Sequence, residues 1–176
     1  KRNKKNNHHR LHFSILQFSF NFQLKIRTSI HRKNLKKLYV FDLDFTLWNA
    51  GNTWCDHLTP PFAIHYGKVV DANGGVIRLY SDVREILEHL EKKNVTLAVA
   101  SRTYEPSWAR RLMELLDIRK YFHYEEIYPS SKIQHFQALQ KATGYKFSDM
   151  VFFDDEHRNI ADVEQLGVQA IYVRNG

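Results

Sequence analysis

The sequence contains one cysteine, no long apolar run and no acidic residue before Asp42, and each shortage excludes a class of protein. The single cysteine, Cys55, excludes an internal disulfide and a zinc site built from paired thiolates. The ten histidines form no H-E-x-x-H motif, so they are interpreted as surface or packing residues. No segment approaches the roughly 18 apolar residues of a membrane-spanning helix. With 43% hydrophobic residues, the chain is instead predicted to form a globular domain without a membrane span.

The positive charge of the chain is concentrated at its beginning. The net charge is +7, to which residues 1–38 contribute +11 and the remainder −4. We therefore predict a basic N-terminal extension at residues 1–36, which is disordered or serves targeting, and a globular domain at residues 37–176. Three interpretations of the extension stay open: an extension without function, a segment that targets an otherwise cytoplasmic protein to an organelle, and a nucleic-acid-binding arm.

From position 38 onward, short apolar runs alternate with helical patterns. Buried strands are predicted at residues 38–42, 95–100, 121–127, 150–153 and 168–173. Helices are predicted at residues 83–90, 106–116, 132–143 and 157–166. Asp82 and Glu85 have the spacing of a capping box for the first helix. Residues 49–79, which contain several Pro and Gly, are predicted to be irregular. The alternation implies an α/β fold with a doubly wound parallel sheet.

Polar residues follow the predicted strands at the carboxyl ends, where such sheets bind ligands. They are Asp42, Asp44, Ser101, Arg102, Asp154 and Asp155, with Lys132 in the loop before the third helix. Two acidic pairs in one crevice would repel each other, and a hard divalent cation with oxygen ligands, such as Mg²⁺, removes that conflict. The alternative is that each pair merely begins a turn or caps a helix. Two pairs on separate strand ends favour the metal site.

Lys132 lies in the first turn of a predicted helix, which is an unfavourable place for a cation. The helix dipole disfavours a positive charge there by about 0.3–1 kcal/mol. Solvation alone can make such a lysine tolerable. An anionic ligand would explain the position better, because the helix N-terminus and the ammonium group both attract phosphate.

These motifs resemble those of the haloacid dehalogenase superfamily of aspartate-nucleophile phosphatases, in both order and spacing. The finer resemblance, over residues 38–176, is to the magnesium-dependent phosphatases of eukaryotes. It is carried by VFDLDFTLW (40–48), ASRT (100–103), EIYPSSKIQHF (126–136) and MVFFDDEHRNI (150–160). The resemblance implies a Rossmann-like core with a short flap after the first strand. The 56 residues between Asp44 and Ser101, and the 30 between Ser101 and Lys132, predict that no cap domain is present.

The resemblance also implies a role for each residue of the first and fourth motifs. Asp42 would be the nucleophile that forms an aspartyl-phosphate, and Asp44 the general acid and base. Mg²⁺ would be bound by Asp42, the Asp44 backbone carbonyl and Asp155. Asp154 would join this ligand set directly or through water.

The remaining motifs are expected to hold the substrate. Phosphate oxygens would be bound by Ser101, by the backbone amides of Leu43 and Arg102, and by Lys132. The Arg102 side chain is also a candidate for substrate contact. Trp54, in the flap, corresponds to a substrate-contacting tryptophan of the family.

The implied substrates are phosphoproteins of the phosphotyrosine type, sugar phosphates or fructosamine phosphates, hydrolysed by a monomer. A receiver domain is disfavoured because its phosphorylated aspartate follows the third strand, where this chain has Glu125 and Glu126. The second hypothesis is a nucleic-acid-binding or scaffold protein on a phosphatase-like body. Only the basic extension supports it, so no nucleic-acid partner is expected.

Overall fold

A parallel sheet of five strands forms the centre of the fold in the computed structural model, which describes residues 38–174. The strands are β1 (Leu38–Phe41), β6 (Thr96–Ser101), β7 (Tyr124–Ile127), β8 (Met150–Asp154) and β9 (Gln169–Tyr172). The intervening strands, β2 to β5, form a second sheet described below. The five strands confirm the predicted parallel sheet, and no strand end differs from its predicted position by more than three residues. The predicted extension at residues 1–36 lies outside the described residues.

The strand order places the ends of β1 and β8 at the point where the chain reverses its direction across the sheet. The order is β7-β6-β1-β8-β9, and every neighbouring pair is parallel. The chain builds outward from β1 to β6 and β7, then crosses to β8 and β9 on the other side. In doubly wound sheets, ligands bind in the crevice at this reversal. Asp42 follows β1 there, beside Asp154 at the end of β8.

Four helices connect these strands. They are α1 (Val83–Lys92), α2 (Pro106–Leu115), α3 (Lys132–Thr143) and α4 (His157–Glu164). The bounds of α3 agree with the prediction, and the helix ends at Gly144, which adopts the left-handed conformation with φ 70°. The predicted capping box at Asp82 is wrong. Asp82 has helical backbone angles and no side-chain capping hydrogen bond, whereas a capping residue needs an extended backbone.

Four short strands within residues 48–79 form a second, antiparallel sheet, so the expectation that residues 49–79 are irregular is wrong at these strands. Its strands are β2 (Trp48–Asn49), β3 (Ala63–His65), β4 (Lys68–Val70) and β5 (Val76–Leu79), in the order β2-β5-β4-β3. The strands have only two to four residues, too few for an alternating pattern to emerge between turns. The buried side chains of Val69 and Ile77 face each other across β4 and β5.

The two faces of the central sheet carry different side chains of the same strands. On one face, Leu38 and Val40 pack with Phe136 and Leu139 of α3 and with Val163 of α4. Alternate residues of β1 point to the other face, because side chains alternate along a strand. There the Phe41 ring stacks on the Phe153 ring at 4.8 Å and meets the edge of Phe122. Both faces of β1 are therefore covered, which holds the strand before Asp42 in place. Within residues 38–174, no helix is long and apolar enough to cross a bilayer.

Substitution Phe136→Ala should lower the free energy of unfolding by about 3–5 kcal/mol. The ring is fully buried and packs edge-on against Phe152 at 5.1 Å, so its removal leaves a cavity between α3 and the sheet. Chemical denaturation measures the change. The control, Ile64→Ala, removes a side chain that is 59% exposed and should change stability by less than about 1 kcal/mol. Equal losses in the two variants would contradict the assigned core.

Candidate active site

A pocket of about 420 Å³ opens at the carboxyl ends of β1, β6 and β8. It brings together seven of the nine predicted site residues, namely Asp42, Asp44, Trp54, Ser101, Arg102, Lys132 and Asp155. The side chains of Leu43 and Asp154 do not line it, because both are fully buried behind its wall. The sequence motifs, which lie up to 113 positions apart in the chain, therefore meet at one place.

The Lys132 ammonium joins two carboxylates at the base of the pocket. Its Nζ donates to Asp42 Oδ1 at 2.6 Å and lies 3.2 Å from Asp154 Oδ2. It also donates to the backbone carbonyl of Ala100, at the end of β6. An ammonium has three protons, and these three oxygens account for all of them. Lys132 thus ties the ends of β1, β6 and β8 together from the first turn of α3.

Charge and burial act against each other at this triad. Burial raises the pKa of Asp42 above its usual range; the Lys132 ammonium opposes that effect, whereas the Asp154 and Asp44 carboxylates add to it. Burial alone would lower the pKa of Lys132, but the neighbouring Asp42 and Asp154 carboxylates outweigh it and raise the pKa. Lys132 therefore stays charged, and further positive charge beside Asp42 would favour its ionised form.

The Asp154 carboxylate is surrounded by donors from the protein itself. Its Oδ1 accepts from the Glu156 backbone N–H at 2.7 Å, and its Oδ2 lies beside Lys132. The Asn159 Nδ2 lies 3.0 Å from both oxygens. A carboxylate has about four acceptor positions, so the contacts with Lys132, Glu156 and Asn159 occupy the whole group.

The Asp44 side chain is held by two donors from the segment that follows the first motif. Trp48 Nε1 donates to Asp44 Oδ1 at 2.6 Å, and the Cys55 backbone N–H lies 3.1 Å from both carboxylate oxygens. Burial nevertheless raises the pKa of Asp44 to about 6, because these hydrogen bonds offset only part of its cost. A carboxyl group in that range can both give and take a proton near neutral pH.

The turn after β1 sets the direction of Asp44. The Leu43 carbonyl accepts from the backbone N–H groups of Thr46, Leu47 and Trp48 at 2.8–3.2 Å. Phe45, inside this turn, has φ 57°, a left-handed conformation that a bulky residue rarely adopts. The chain therefore reverses tightly directly after Asp42, which brings Asp44 and Trp48 back over the end of the strand.

Asp155 stands at the opposite wall of the pocket, one residue beyond β8. Burial and the neighbouring Asp154 carboxylate raise the pKa of Asp155 to about 6. Thr46 is the last residue of the D-x-D-x-T motif, and its hydroxyl donates weakly to Asp155 Oδ1 at 3.5 Å. The first and fourth motifs thus make direct contact across the crevice.

The oxygen atoms of this crevice fit a hard divalent cation, with backbone and solvent ligands in addition to carboxylates. Asp42 and Asp154 contact the buried Lys132 ammonium, and Asp44 and Asp155 also stand at the crevice, which leaves negative charge that a cation would balance. Within residues 38–174, no three acidic, histidine or cysteine side chains come together closely enough to hold a metal ion by themselves, so the set of side-chain ligands is incomplete. Mg²⁺ suits such an incomplete set, since it keeps several water ligands. Asp42, Asp155 and the Asp44 carbonyl are the protein groups available to it.

Two further predicted residues line the pocket, one at the end of β6 and one in the loop after it. Ser101 is 3% exposed, and its Oγ lies 3.5 Å from the Thr103 backbone N–H. Arg102 donates through Nη1 to Asn159 Oδ1 at 3.1 Å, and its Nη1 lies 3.8 Å from Glu156. The guanidinium group therefore stands at the pocket wall with partners on α4.

Trp54 lies at the rim of the pocket, with half of its surface exposed. Its ring meets the Phe45 ring edge-on at 5.9 Å and the His57 ring at 5.4 Å. These contacts position the indole, and its exposed half lies at the pocket.

Sequence reasoning missed several residues that hold the site. The acidic groups are positioned by Trp48, Asn159 and the backbone of Cys55. In the sequence, the only sign of such roles was that Trp48 lies within the motif VFDLDFTLW and Asn159 within FFDDEHRN. His135, interpreted only as a surface or packing residue, is fully buried next to Lys132. Its Nε2 donates to the Tyr128 carbonyl at 3.0 Å, and its Nδ1 has no hydrogen-bond partner among the described residues.

The fold matches that of solved structures of HAD family enzymes. A solved structure of a HAD family enzyme from Bacteroides thetaiotaomicron, in complex with magnesium and inorganic phosphate, superposes with a TM-score of 0.58. It covers 80% of this chain and 95% of that chain at 15% identity, so the likeness shows a shared fold. The chain thus has the fold of the haloacid dehalogenase class.

Sequence comparison gives the family. A family model described as Acid Phosphatase matches residues 34–176. The human protein Magnesium-dependent phosphatase 1 is 51% identical over 144 residues, which are 81% of this chain and 80% of that protein. A HAD-like hydrolase superfamily protein of Schizosaccharomyces pombe is 40% identical over 151 residues, covering 77% of this chain and 86% of that protein. The chain therefore belongs to the acid phosphatase family within the haloacid dehalogenase superfamily.

The stability of the protein should fall between pH 6.5 and 4 because of His135. Burial, together with the Lys132 ammonium, lowers the pKa of His135 to about 4. In the unfolded chain the His135 ring is protonated near pH 6.5, whereas in the native state it is protonated only near pH 4. The unfolded state therefore binds more protons in this window, and stability is lost as the pH falls through it.

The variant His135→Gln keeps a donor for the Tyr128 carbonyl but has no titrating ring. Relative to this variant, the wild type should lose about 2–3 kcal/mol between pH 7 and pH 4. Urea denaturation at both pH values measures the difference. The contribution of the carboxylates to the pH dependence cancels, because both proteins contain the same carboxylates. A difference that does not vary with pH would show that His135 is not held neutral.

Proposed function

We propose that this chain is a Mg²⁺-dependent phosphatase that hydrolyses phosphate monoesters through an aspartyl-phosphate on Asp42. The observation that carries the proposal is the contact of 2.6 Å between Lys132 Nζ and Asp42 Oδ1 at the base of an open pocket. A carboxylate held by a buried ammonium at the end of a central strand is placed to attack a phosphorus atom above it. The resemblance to Magnesium-dependent phosphatase 1 supports the same activity.

The first half of the reaction transfers the phosphoryl group to the protein. An oxygen of Asp42 forms a bond to phosphorus while the bond from phosphorus to the ester oxygen breaks. Asp44 gives its proton to the departing oxygen, since that carboxyl group reaches the pocket from the turn after β1. The products of this half are a free alcohol or phenol, an aspartyl-phosphate and an ionised Asp44.

The second half returns the protein to its starting state. Asp44 takes a proton from a water molecule, whose oxygen attacks the phosphorus of the aspartyl-phosphate. The bond between phosphorus and the Asp42 oxygen breaks, and inorganic phosphate leaves. The contacts of Asp44 with Trp48 and Cys55 hold the carboxylate in one place for both proton transfers.

The chain's other groups bind and orient the phosphate. Ser101 and the backbone amides of Leu43 and Arg102 donate to its oxygens, the Lys132 ammonium adds positive charge beside them, and this positioning supplies much of the catalysis of phosphoryl transfer. Asp42, Asp155 and the Asp44 carbonyl would hold Mg²⁺, which when bound neutralises negative charge at the phosphate.

The substrates we propose are phosphate monoesters with a ring next to the ester oxygen. The half-exposed indole of Trp54 offers a flat surface for a phenyl or sugar ring. The pocket is open to solvent, which suits a bulky substrate such as phosphotyrosine in a protein, and hence a protein-tyrosine-phosphatase activity. Sugar phosphates and fructosamine phosphates meet the same requirement. Comparison of kcat/KM for these substrates in Trp54→Ala and wild-type protein tests the ring contact.

Hydrolysis of p-nitrophenyl phosphate should require Mg²⁺ and stop in EDTA. Ca²⁺ should substitute poorly, because it prefers six to eight ligands and a looser geometry. Calorimetry without substrate provides a second measure: Asp155→Asn should weaken Mg²⁺ binding at least about tenfold, whereas Glu164→Gln, an exposed acid on α4, should leave it unchanged. Full turnover in EDTA would contradict the metal requirement.

The two aspartates of the first motif should fail in different ways. Asp42→Asn should abolish turnover and phosphoenzyme, because an amide does not act as the nucleophile. Asp44→Asn should be slower by about 100- to 10,000-fold. With nitrophenolate as a good leaving group, its second step should suffer more than its first, so aspartyl-phosphate should accumulate.

Acid quench with ³²P-labelled substrate, followed by peptide mass spectrometry, locates the label. The expected site is Asp42 in the Asp44→Asn protein, with no label in the Asp42→Asn protein. Glu164→Gln serves as the acid-to-amide control and should keep full activity. Label on Ser101, or activity in the Asp42→Asn protein, would overturn the assigned roles.

A further inference from the structure

The Asn159 side chain connects two parts of the pocket that serve different tasks. It is 3% exposed and lies in the first turn of α4. Its Nδ2 contacts both oxygens of Asp154 at 3.0 Å, and its Oδ1 accepts from Arg102 at 3.1 Å. The Nδ2 side therefore faces Asp154 at the pocket base and, at 3.3 Å, the Glu156 carboxylate, whereas the Oδ1 side faces a cation at the pocket wall.

The chemistry of these partners requires an amide. A carboxylate only accepts hydrogen bonds and a guanidinium group only donates them, so the orientation of the Asn159 side chain is determined by its neighbours. A leucine at position 159 would do neither task, and an aspartate would serve Arg102 alone. The position thus demands a short side chain that donates on one side and accepts on the other.

On the donating side, Asn159 controls which groups Asp154 can contact. Asn159 contacts both oxygens of the Asp154 carboxylate, and the Glu156 backbone N–H donates to one of them. These contacts fix the Asp154 carboxylate beside Lys132, at 3.2 Å. Lys132 in turn contacts the proposed nucleophile, Asp42. The position of the ammonium over Asp42 therefore depends on a carboxylate that Asn159 holds still.

Through its Oδ1 atom, which accepts a hydrogen bond, Asn159 holds the flexible Arg102 side chain at the pocket wall where the substrate would bind. The Arg102 side chain has several rotatable bonds and remains about one-third exposed. The hydrogen bond from Nη1 to Asn159 Oδ1 fixes the end of this chain, and the more distant Glu156 carboxylate at 3.8 Å adds to it. A guanidinium group fixed in this way binds an anion with less loss of conformational entropy.

Resting on the proposed phosphatase activity, we propose that Asn159 is a positioning residue with two separable effects, one on kcat through Asp154 and Lys132 and one on KM through Arg102. The start of α4 does not need this side chain. The Asn159 backbone N–H already donates to the Glu156 carbonyl at 3.0 Å, which begins the helix.

Two substitutions separate the effects. Asn159→Asp keeps an acceptor for Arg102 but replaces the donor that faces Asp154 with a second negative charge. In this variant kcat should fall about 10- to 100-fold, and KM should stay within about threefold of the wild-type value. Asn159→Ala removes both contacts, so kcat should fall similarly and KM should rise about five- to tenfold. Steady-state kinetics with p-nitrophenyl phosphate at saturating Mg²⁺ measure both constants.

A double-mutant cycle with Arg102→Ala tests the route of the KM effect. Arg102→Ala alone should raise KM and leave kcat within about threefold. Adding Asn159→Ala should then lower kcat without raising KM further, because the partner of Oδ1 is already absent. Additive increases in KM would show that Asn159 does not act through Arg102.

Measurements without turnover distinguish positioning from a general structural effect. Mg²⁺ affinity by calorimetry should be unchanged in both Asn159 variants, since the hydrogen bonds of Asn159 go to Asp154, Glu156 and Arg102 and not to Asp42 or Asp155. Inorganic phosphate, bound in the presence of Mg²⁺, should lose affinity in Asn159→Ala more than in Asn159→Asp. Glu164→Gln, on the same helix, should change nothing. Equal changes in kcat, KM and Mg²⁺ affinity in both variants would overturn the proposal in favour of a structural role.

Failure of the proposal can be told apart from failure of the proposed function. An active wild type whose kcat is unaffected by either Asn159 substitution would overturn the positioning role alone. A wild type that hydrolyses no phosphate monoester with Mg²⁺ would overturn the phosphatase assignment. If Asn159→Ala does not fold, the isosteric Asn159→Asp and the Arg102→Ala variant still give the kcat and KM tests.

Discussion

The buried ion pair network of Lys132 with Asp42 and Asp154 is the interaction on which the site depends. Three charges out of water are costly unless each finds partners, and removing one member of such a group typically costs about 3–5 kcal/mol. Here the ammonium touches residues at the ends of β1, β6 and β8, so it also fixes the relative height of three strands. The chemistry and the sheet geometry are therefore coupled through one side chain.

The small antiparallel sheet contributes to the site from the other side. It begins at Trp48, whose ring is fully buried and donates to Asp44, and the segment after β2 brings the Cys55 backbone N–H to the same carboxylate. The Cys55 thiol in turn lies 3.3 Å from the Thr103 hydroxyl, in the loop after β6. The segment between the first two core strands thus supports Asp44, the proposed acid–base residue, and also carries Trp54 at the rim of the pocket.

The sequence predicted the parts of the fold in which local pattern and tertiary role agree. Buried strands such as Met150–Asp154 are continuous apolar runs, and α3 has both a capping serine and a terminal glycine, so its bounds could be read directly. The second sheet was missed because strands of two to four residues carry too little periodicity. The prediction of a capping box at Asp82 was wrong because a side chain can cap a helix only when its backbone angles allow it, and the sequence does not show those angles.

The sequence by itself determined that four aspartates, a serine and a lysine stand at strand and helix ends, and the topology of a doubly wound sheet then implied one crevice. Only the tertiary structure decided how the acids divide their tasks. Asp154 and Asp155 are neighbours in the chain, yet Asp154 is enclosed by Lys132 and Asn159 while Asp155 faces the pocket. Successive side chains at a strand end point to opposite sides, so adjacent and chemically identical residues enter different surroundings.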